Sequence, residues 1–224
     1  MDLGQAYLNG AWLPARDLAI PVGDLGFVLG ATVVERLRTF NGLLFRVEGH
    51  LARLHDSLEI VGWKAAALTA EIREALAAFT DLNAELIAPG DDWHVAAFVT
   101  PGATADAAQP TVCVHGGPIP FSAWAHKFEA GVEVCITDVR QTPPECWPPE
   151  LKCRSRMHYY LADQEAARRC PGALRSRRSP GCPSCRSAAC RSSACSPTRC
   201  WSGPRSPSPV TRSRSWGQIG RGHV

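Results

Sequence analysis

The stretch Asp24-Leu25-Gly26-Phe27-Val28-Leu29-Gly30-Ala31-Thr32-Val33-Val34-Glu35-Arg36-Leu37-Arg38-Thr39-Phe40-Asn41-Gly42 decides the fold. An apolar segment from Phe27 to Phe40 ends on Asn-Gly, the strongest short hairpin signal, and Leu43 to Val47 reads as the return strand. Strand periodicity sets Glu35 on the side of Leu37 and Arg38 on the side of Arg36. From His50 to Val61, Leu51, Leu54, Leu58 and Val61 form one stripe of an amphipathic helix, with Gly62 placed to end it.

Upstream, Tyr7 to Leu13 is a second Asn-Gly hairpin, turning at Asn9-Gly10. Thr69 is read as the cap of a helix running to about Thr80, with Ile72, Leu76 and Phe79 inward. Trp93–Val99 and Thr111–His115 read as strands around a Pro101-Gly102 loop. In Gly131–Val139, Val132, Val134 and Ile136 alternate with Glu133 and Cys135. A Pro-rich loop, Pro143–Pro149, leads to Leu151-Lys152, and a helix follows from about Ser155 to Arg169. This irregular alternation implies an α+β fold rather than a doubly wound sheet.

Charge divides the 224 residues. Residues 1–169 carry 14 Lys and Arg against all 21 acids, a net of −7; residues 170–224 carry 10 Arg and no acid, a net of +10. Those last 55 residues include 12 Ser, 7 Pro and 6 Cys, and of Leu, Ile and Val only Leu174, Val210, Ile219 and Val224. So little apolar surface cannot offset chain entropy, and disorder is expected from about residue 173. Arg, Ser, Pro, Cys, Gly, Ala and Trp are also what GC-rich coding DNA yields out of frame. The expectation is a reading frame lost near Gly172–Leu174. The N-terminus lacks the basic and apolar regions of a secretory signal, and no run approaches the ~20 apolar residues of a membrane span. A cytoplasmic protein with no membrane partner and unbridged cysteines is expected.

The Asp24–Gly42 stretch, continued by Phe45-Arg46 and His50-Leu51-Ala52-Arg53-Leu54, closely resembles the N-terminal signature of class IV aminotransferases. That family includes branched-chain and D-amino-acid aminotransferases and aminodeoxychorismate lyase. Tyr7-Leu8-Asn9-Gly10-x-Trp12 is similar too. Leu151-Lys152, with Tyr160-Leu161-Ala162-Asp163-Gln164-Glu165-Ala166, resembles the segment holding the family's Schiff-base lysine. The likeness covers roughly residues 5 to 170. It implies a small N-terminal α/β sandwich domain of the D-amino-acid-aminotransferase-like fold over 1–120. The start of a larger pyridoxal-phosphate domain would follow over 121–172, and the basic tail over 173–224.

By that resemblance, Lys152 is the catalytic residue: its amine would hold the cofactor, pyridoxal 5′-phosphate, and shuttle the proton. On position alone it is a solvated surface lysine. Arg53, whose planar guanidinium suits phosphate oxygens, would bind the 5′-phosphate; on position alone it pairs with Asp56 on the same helix. His50 either positions Arg53 or is solvated, and no role is carried over to Glu35 or Arg38. The family's frequent tyrosine is absent at Leu29 and Val34, and Met157 stands where some members have a tyrosine on the cofactor ring. No site for a metal is assigned in the body.

The resemblance further implies amino-acid and 2-oxo-acid substrates, a homodimer, and transaminase activity of branched-chain type. The alternative is an aminodeoxychorismate lyase. The family's later glutamate, which pairs with the pyridine nitrogen, and its second phosphate clamp match nothing after Gly172, so little activity is expected of the chain as written. A reading of another class takes the tail as a nucleic-acid or zinc-binding segment. Two tryptophans are too few to stack bases, and Cys182-x-x-Cys185 lacks a second close pair, so specific nucleic-acid binding is not expected.

Overall fold

The structure is a computed structural model. It describes residues 4–88, 90–103, 109–132, 134–170 and, as backbone, 174–178. Six strands form a sheet in the order β2-β1-β6-β5-β3-β4: β1 Gln5–Leu8, β2 Ala11–Pro14, β3 Val33–Phe40, β4 Leu43–Leu44, β5 Trp93–Thr100 and β6 Thr111–Pro118. Every pairing within it is antiparallel. Both expected hairpins form: Asn9 and Gly10 have φ of 48° and 86°, Asn41 and Gly42 of 50° and 78°. Two successive positive φ values turn the chain with the twist of its strands, which Asn-Gly accommodates with least strain.

One face of the sheet is covered by α2, Val47–Ile60, and α3, Ala65–Leu82. Leu51, Leu54 and Leu58 of the expected stripe are buried against Ile72, Leu76 and Phe79 of α3 and against Val33, Leu37, Val95, Val99 and Val114 of the sheet. The cross-strand rows Val33–Val99–Val112 and Glu35–Ala97–Val114 thus face the helices, and Glu35 sits in an apolar layer. The opposite face carries Val34–Phe98–Cys113, with Leu8, Leu18 and Ile20 packed on it.

Two local expectations are corrected, and two further features go beyond what the sequence indicated. Thr69 does not cap α3, which begins four residues earlier; Ala65, Ala66 and Ala67 are strong helix formers and carry the helix upstream. Its hydroxyl is buried instead, with no hydrogen-bond partner among the described residues. The return strand after Gly42 is only Leu43–Leu44, because Arg46 turns left-handed at φ 52° and starts α2 at Val47. A helix not read in the sequence, α4, spans Phe121–Ala130. In β7, Val134–Arg140, Cys135 and Thr137 are buried while Val134 and Ile136 are about half exposed, so the apolar side of the alternation is the outer one.

A short helix α1, Leu25–Val28, precedes β3, and α5, Met157–Arg169, follows the Pro-rich loop. Arg169 joins Asp138 of β7 to Glu165 of α5. A last strand, β8 Leu174–Arg178, pairs in parallel with β7. Its first residues lie where the basic tail was expected to begin: strand pairing is made by the main chain, to which a composition argument is blind. The rest of the tail, with its cysteines and the proposed zinc and nucleic-acid features, lies outside the described residues. Among the described residues no helix is long and apolar enough to cross a membrane, and no group of three or more His, Cys, Asp or Glu could hold a metal ion.

Candidate active site

The site forms where the Leu151–Arg154 segment meets the free edge of β3. Val34 donates its N–H to the Lys152 carbonyl at 3.1 Å, Arg154 donates to Thr32 at 2.9 Å, and Val33 bridges Cys153. The Lys152 N–H donates to Ser57 Oγ of α2 at 3.2 Å. Main-chain bonds to two elements thus fix Lys152 before its side chain makes any contact. Its Nζ then donates to the Val34 carbonyl at 2.9 Å and lies 3.6 Å from Glu35 Oε2.

Glu35 is the centre of the arrangement. It is 1% exposed, and it accepts a fork from Arg53, Nε to Oε1 at 2.6 Å and Nη2 to Oε2 at 2.7 Å. His50 Nδ1 lies 2.8 Å from Oε2 and 3.3 Å from Arg53 Nη2. Burial works to raise the Glu35 pKa, but the hydrogen bonds of Arg53 and His50 and the charge of Lys152 hold it below the usual carboxylate range. The Arg53 guanidinium is correspondingly raised by its bond to Glu35. Lys152 moves the other way. Burial lowers its pKa against the pull of Glu35, with Arg53 and Arg156 adding to the lowering.

Arg53 therefore pairs with Glu35, not with Asp56 of its own helix, and its side chain remains half exposed. It opens with Arg46, Gly49 and His50 onto a cleft of about 210 Å³. His50 is a partner of both Glu35 and Arg53 rather than a solvated group. Met157 is exposed, and Arg38 is drawn aside to Asp92 at 2.9 Å, where Thr39 also donates. Lys152 and Arg53 were expected from the sequence, Glu35 was given no role there, and Ser57 was not singled out. The signal for Glu35 was legible: a carboxylate between Val33 and Leu37 on a core face needs a buried cation.

One carboxylate faces an arginine, a lysine and a histidine, so the cleft has cationic capacity to spare for an anion. Beside it stands a half-buried amine biased toward its neutral, nucleophilic form.

The sequence pattern of the family described as "Amino-transferase class IV" matches residues 32–171. D-alanine aminotransferase of Bacillus licheniformis is 32% identical over 75 residues, 34% of this chain and 26% of that protein. A Methanocaldococcus jannaschii protein named "Putative branched-chain-amino-acid aminotransferase" is 26% identical over 166 residues, 71% of this chain and 54% of its own length. The chain thus spans about half the length of that relative. Among solved structures, the branched-chain aminotransferase of the thermophilic archaeon Thermoproteus uzoniensis with norvaline superposes at a TM-score of 0.53 with 18% identity, over 74% of this chain and 57% of that one. A hypothetical aminotransferase from Mycobacterium tuberculosis in its PLP-bound form superposes at 0.62 with 21% identity, over 77% and 62%.

Proposed function

This chain belongs to the class IV aminotransferase family, and from that premise we propose that it is built to hold pyridoxal 5′-phosphate through Lys152 and Arg53 and to move an amino group between an amino acid and a 2-oxo acid. The observation that carries the proposal is the Lys152–Glu35–Arg53 relay: a half-buried amine 3.6 Å from a buried carboxylate whose other contacts fix a half-exposed guanidinium.

The residues present suit the cofactor. Arg53 spends Nε and Nη2 on Glu35, leaving Nη1 for a phosphate oxygen, and Arg46 and His50 border the same cleft. When bound, the cofactor supplies an aldehyde carbon for the amine and a ring able to take up the electrons of a broken Cα–H bond. Glu35 orients Arg53 and balances the charge gathered around it. Ser57 and Val34 aim Lys152. Burial lowers the Lys152 pKa and so favours the free amine relative to an exposed lysine, and a free amine there can accept a proton from a substrate carbon and return it.

The branched-chain character of the M. jannaschii relative supports a branched-chain donor. An exposed apolar run, with Val22, Phe27, Val28 and Leu29 all more than half exposed, supports a homodimer. In this reading the chain comprises a small domain over residues 1–120 and the start of a larger one from residue 121. Because residues 170–224 contain no acid, they offer no partner for a ring nitrogen, and we expect turnover of this 224-residue sequence to be low.

The test is amino transfer from leucine to 2-oxoglutarate with added cofactor, beside release of pyruvate from aminodeoxychorismate. Transfer that depends on Lys152 supports the proposal, whereas Lys152-dependent pyruvate release without transfer replaces it with the lyase. Arg53→Ala should weaken retention of pyridoxal phosphate but not of pyridoxal; equal loss of both would remove Arg53 from the phosphate role.

A further inference from the structure

Away from the Lys152 relay, two thiols meet where α5 lies on β7. The strands β7 and β8 are parallel neighbours and α5 is the chain between them, so it runs back antiparallel to β7 and ends beside the strand's start. Asp138 of β7 sets the register, donating its main-chain N–H to both carboxylate oxygens of Glu165 at 3.0 Å. Three residues back along β7 stands Cys135, about 10 Å away at about 3.3 Å per strand residue. Five residues on along α5 stands Cys170, about 8 Å away at about 1.5 Å per helix residue. The two steps run in the same direction.

Side-chain direction brings the same pair together. Cys135 and Thr137 form the buried side of β7. Ala162 and Ala166 are the buried residues of α5, and Cys170, its C-cap, continues their i, i+4 stripe. Cys135 is 4% exposed, whereas Cys170 is partly open to solvent, and both are free thiols. Burial first, and then a hydrogen bond to Cys170, push the Cys135 thiol up, so it stays protonated near neutral pH.

Without a covalent link α5 is held lightly. Its buried side is two alanines, and Met157, Tyr160 and Leu161 are all about half exposed or more. The ion pairs of Arg169 with Glu165 and Asp138 are partly exposed, and pairs of that kind contribute little. We propose that Cys135 and Cys170 are a modification site, a thiol pair that a small-molecule disulfide oxidises to an intramolecular bond pinning the end of α5 to β7. The accessible Cys170, as thiolate, attacks one sulfur of the external disulfide, forms a mixed disulfide and expels one thiolate, which takes up a proton. Cys135 then loses its proton to solvent and attacks Cys170 Sγ, expelling the second thiolate. Two protein thiols are oxidised, and one external disulfide is reduced to two thiols. Neither thiol takes part in the transferase reading above, and the pair does not depend on it.

The test equilibrates the reduced full chain with glutathione disulfide, blocks the remaining thiols by alkylation and digests with trypsin. Cys135 falls in the peptide Phe128–Arg140 and Cys170 in the peptide Cys170–Arg175, each with no second cysteine. The two peptides should be recovered joined. The ratio of that bond to glutathione bound at Cys170 should be about tenfold or more higher in the folded chain than in urea, where the two ends of the loop must find each other. Cys135→Ser should leave Cys170 carrying glutathione, and Cys170→Ser should leave the buried Cys135 unmodified. Amide exchange along α5 should slow by about tenfold or more when the parent chain is oxidised, and in neither variant. Joined peptides in equal yield in urea, or unchanged exchange along α5 once the bond has formed, would overturn the inference. So would a parent chain in which Cys170 carries only glutathione, or in which either thiol is bonded chiefly to a cysteine of residues 182–200.

Discussion

Replacing Glu35 by Gln keeps the shape of the side chain and removes its charge. In the folded protein that charge receives two hydrogen bonds from Arg53, lies 2.8 Å from His50 Nδ1, and balances Lys152 at 3.6 Å. Removing one partner of a fully buried ion pair costs about 3–5 kcal/mol. Arg53 is half exposed and can rehydrate, and the Gln carbonyl can still accept one of its bonds, so the cost falls to about 2–3 kcal/mol, near that of one hydrogen bond to a charged group. Against the roughly 5–15 kcal/mol typical of a folded domain, urea unfolding reads this directly as a lower midpoint. The same change removes the group that raises the Lys152 pKa, so acylation of Nζ should extend to lower pH than in the parent. An unchanged midpoint together with an unmoved acylation profile would refute Glu35 as the centre of the site.

Asp24 is 2% exposed and accepts from the Gly26 N–H at 2.7 Å, Thr100 Oγ1 at 2.9 Å and Thr111 Oγ1 at 2.6 Å, so Asp24→Asn should cost about 2–3 kcal/mol by urea unfolding. Gly116 has room for no side chain: a Cβ there would lie 2.4 Å from the His94 carbonyl oxygen, so Gly116→Ala should cost about 1–3 kcal/mol and lower the melting temperature. Burial and then the charges of Arg154, His94 and Arg36 lower the His115 pKa to about 4, so between pH 4 and about 6.5 the unfolded chain binds a proton that the folded one does not. Stability should therefore rise with pH across that window, and melts of His115→Gln should show a shallower rise.

Much of the fold was legible because its signals are local. Asn41-Gly42 and Asn9-Gly10 dictate turns by backbone conformation alone, and Leu51, Leu54 and Leu58 mark a helix face without reference to its partner. Boundaries failed where two local signals competed. The alanines at 65–67 outweighed the capping preference of Thr69, and the left-handed Arg46 cut short a strand that residue types favoured. The outer placement of Val134 and Ile136 was illegible for a different reason: alternation shows that two sides differ, not which one is buried.

Within the site, Lys152 and Arg53 came from resemblance. Glu35, which joins them, could have come from the residues themselves as a carboxylate on an apolar face. Ser57 could not, since a serine on a helix carries no sign that it will accept from a main-chain N–H 95 residues away. The thiol pair was visible as Cys135 and Cys170, but only the register of α5 on β7 puts them together.

The most direct measurement uses the chain's own composition, which holds three lysines, Lys64, Lys127 and Lys152. The protein is incubated with pyridoxal 5′-phosphate, reduced with borohydride, and its peptides are mapped by mass. The label is expected on Lys152, and none in that peptide once Lys152→Ala is introduced. Label confined to Lys64 or Lys127, or no label at all, would contradict it.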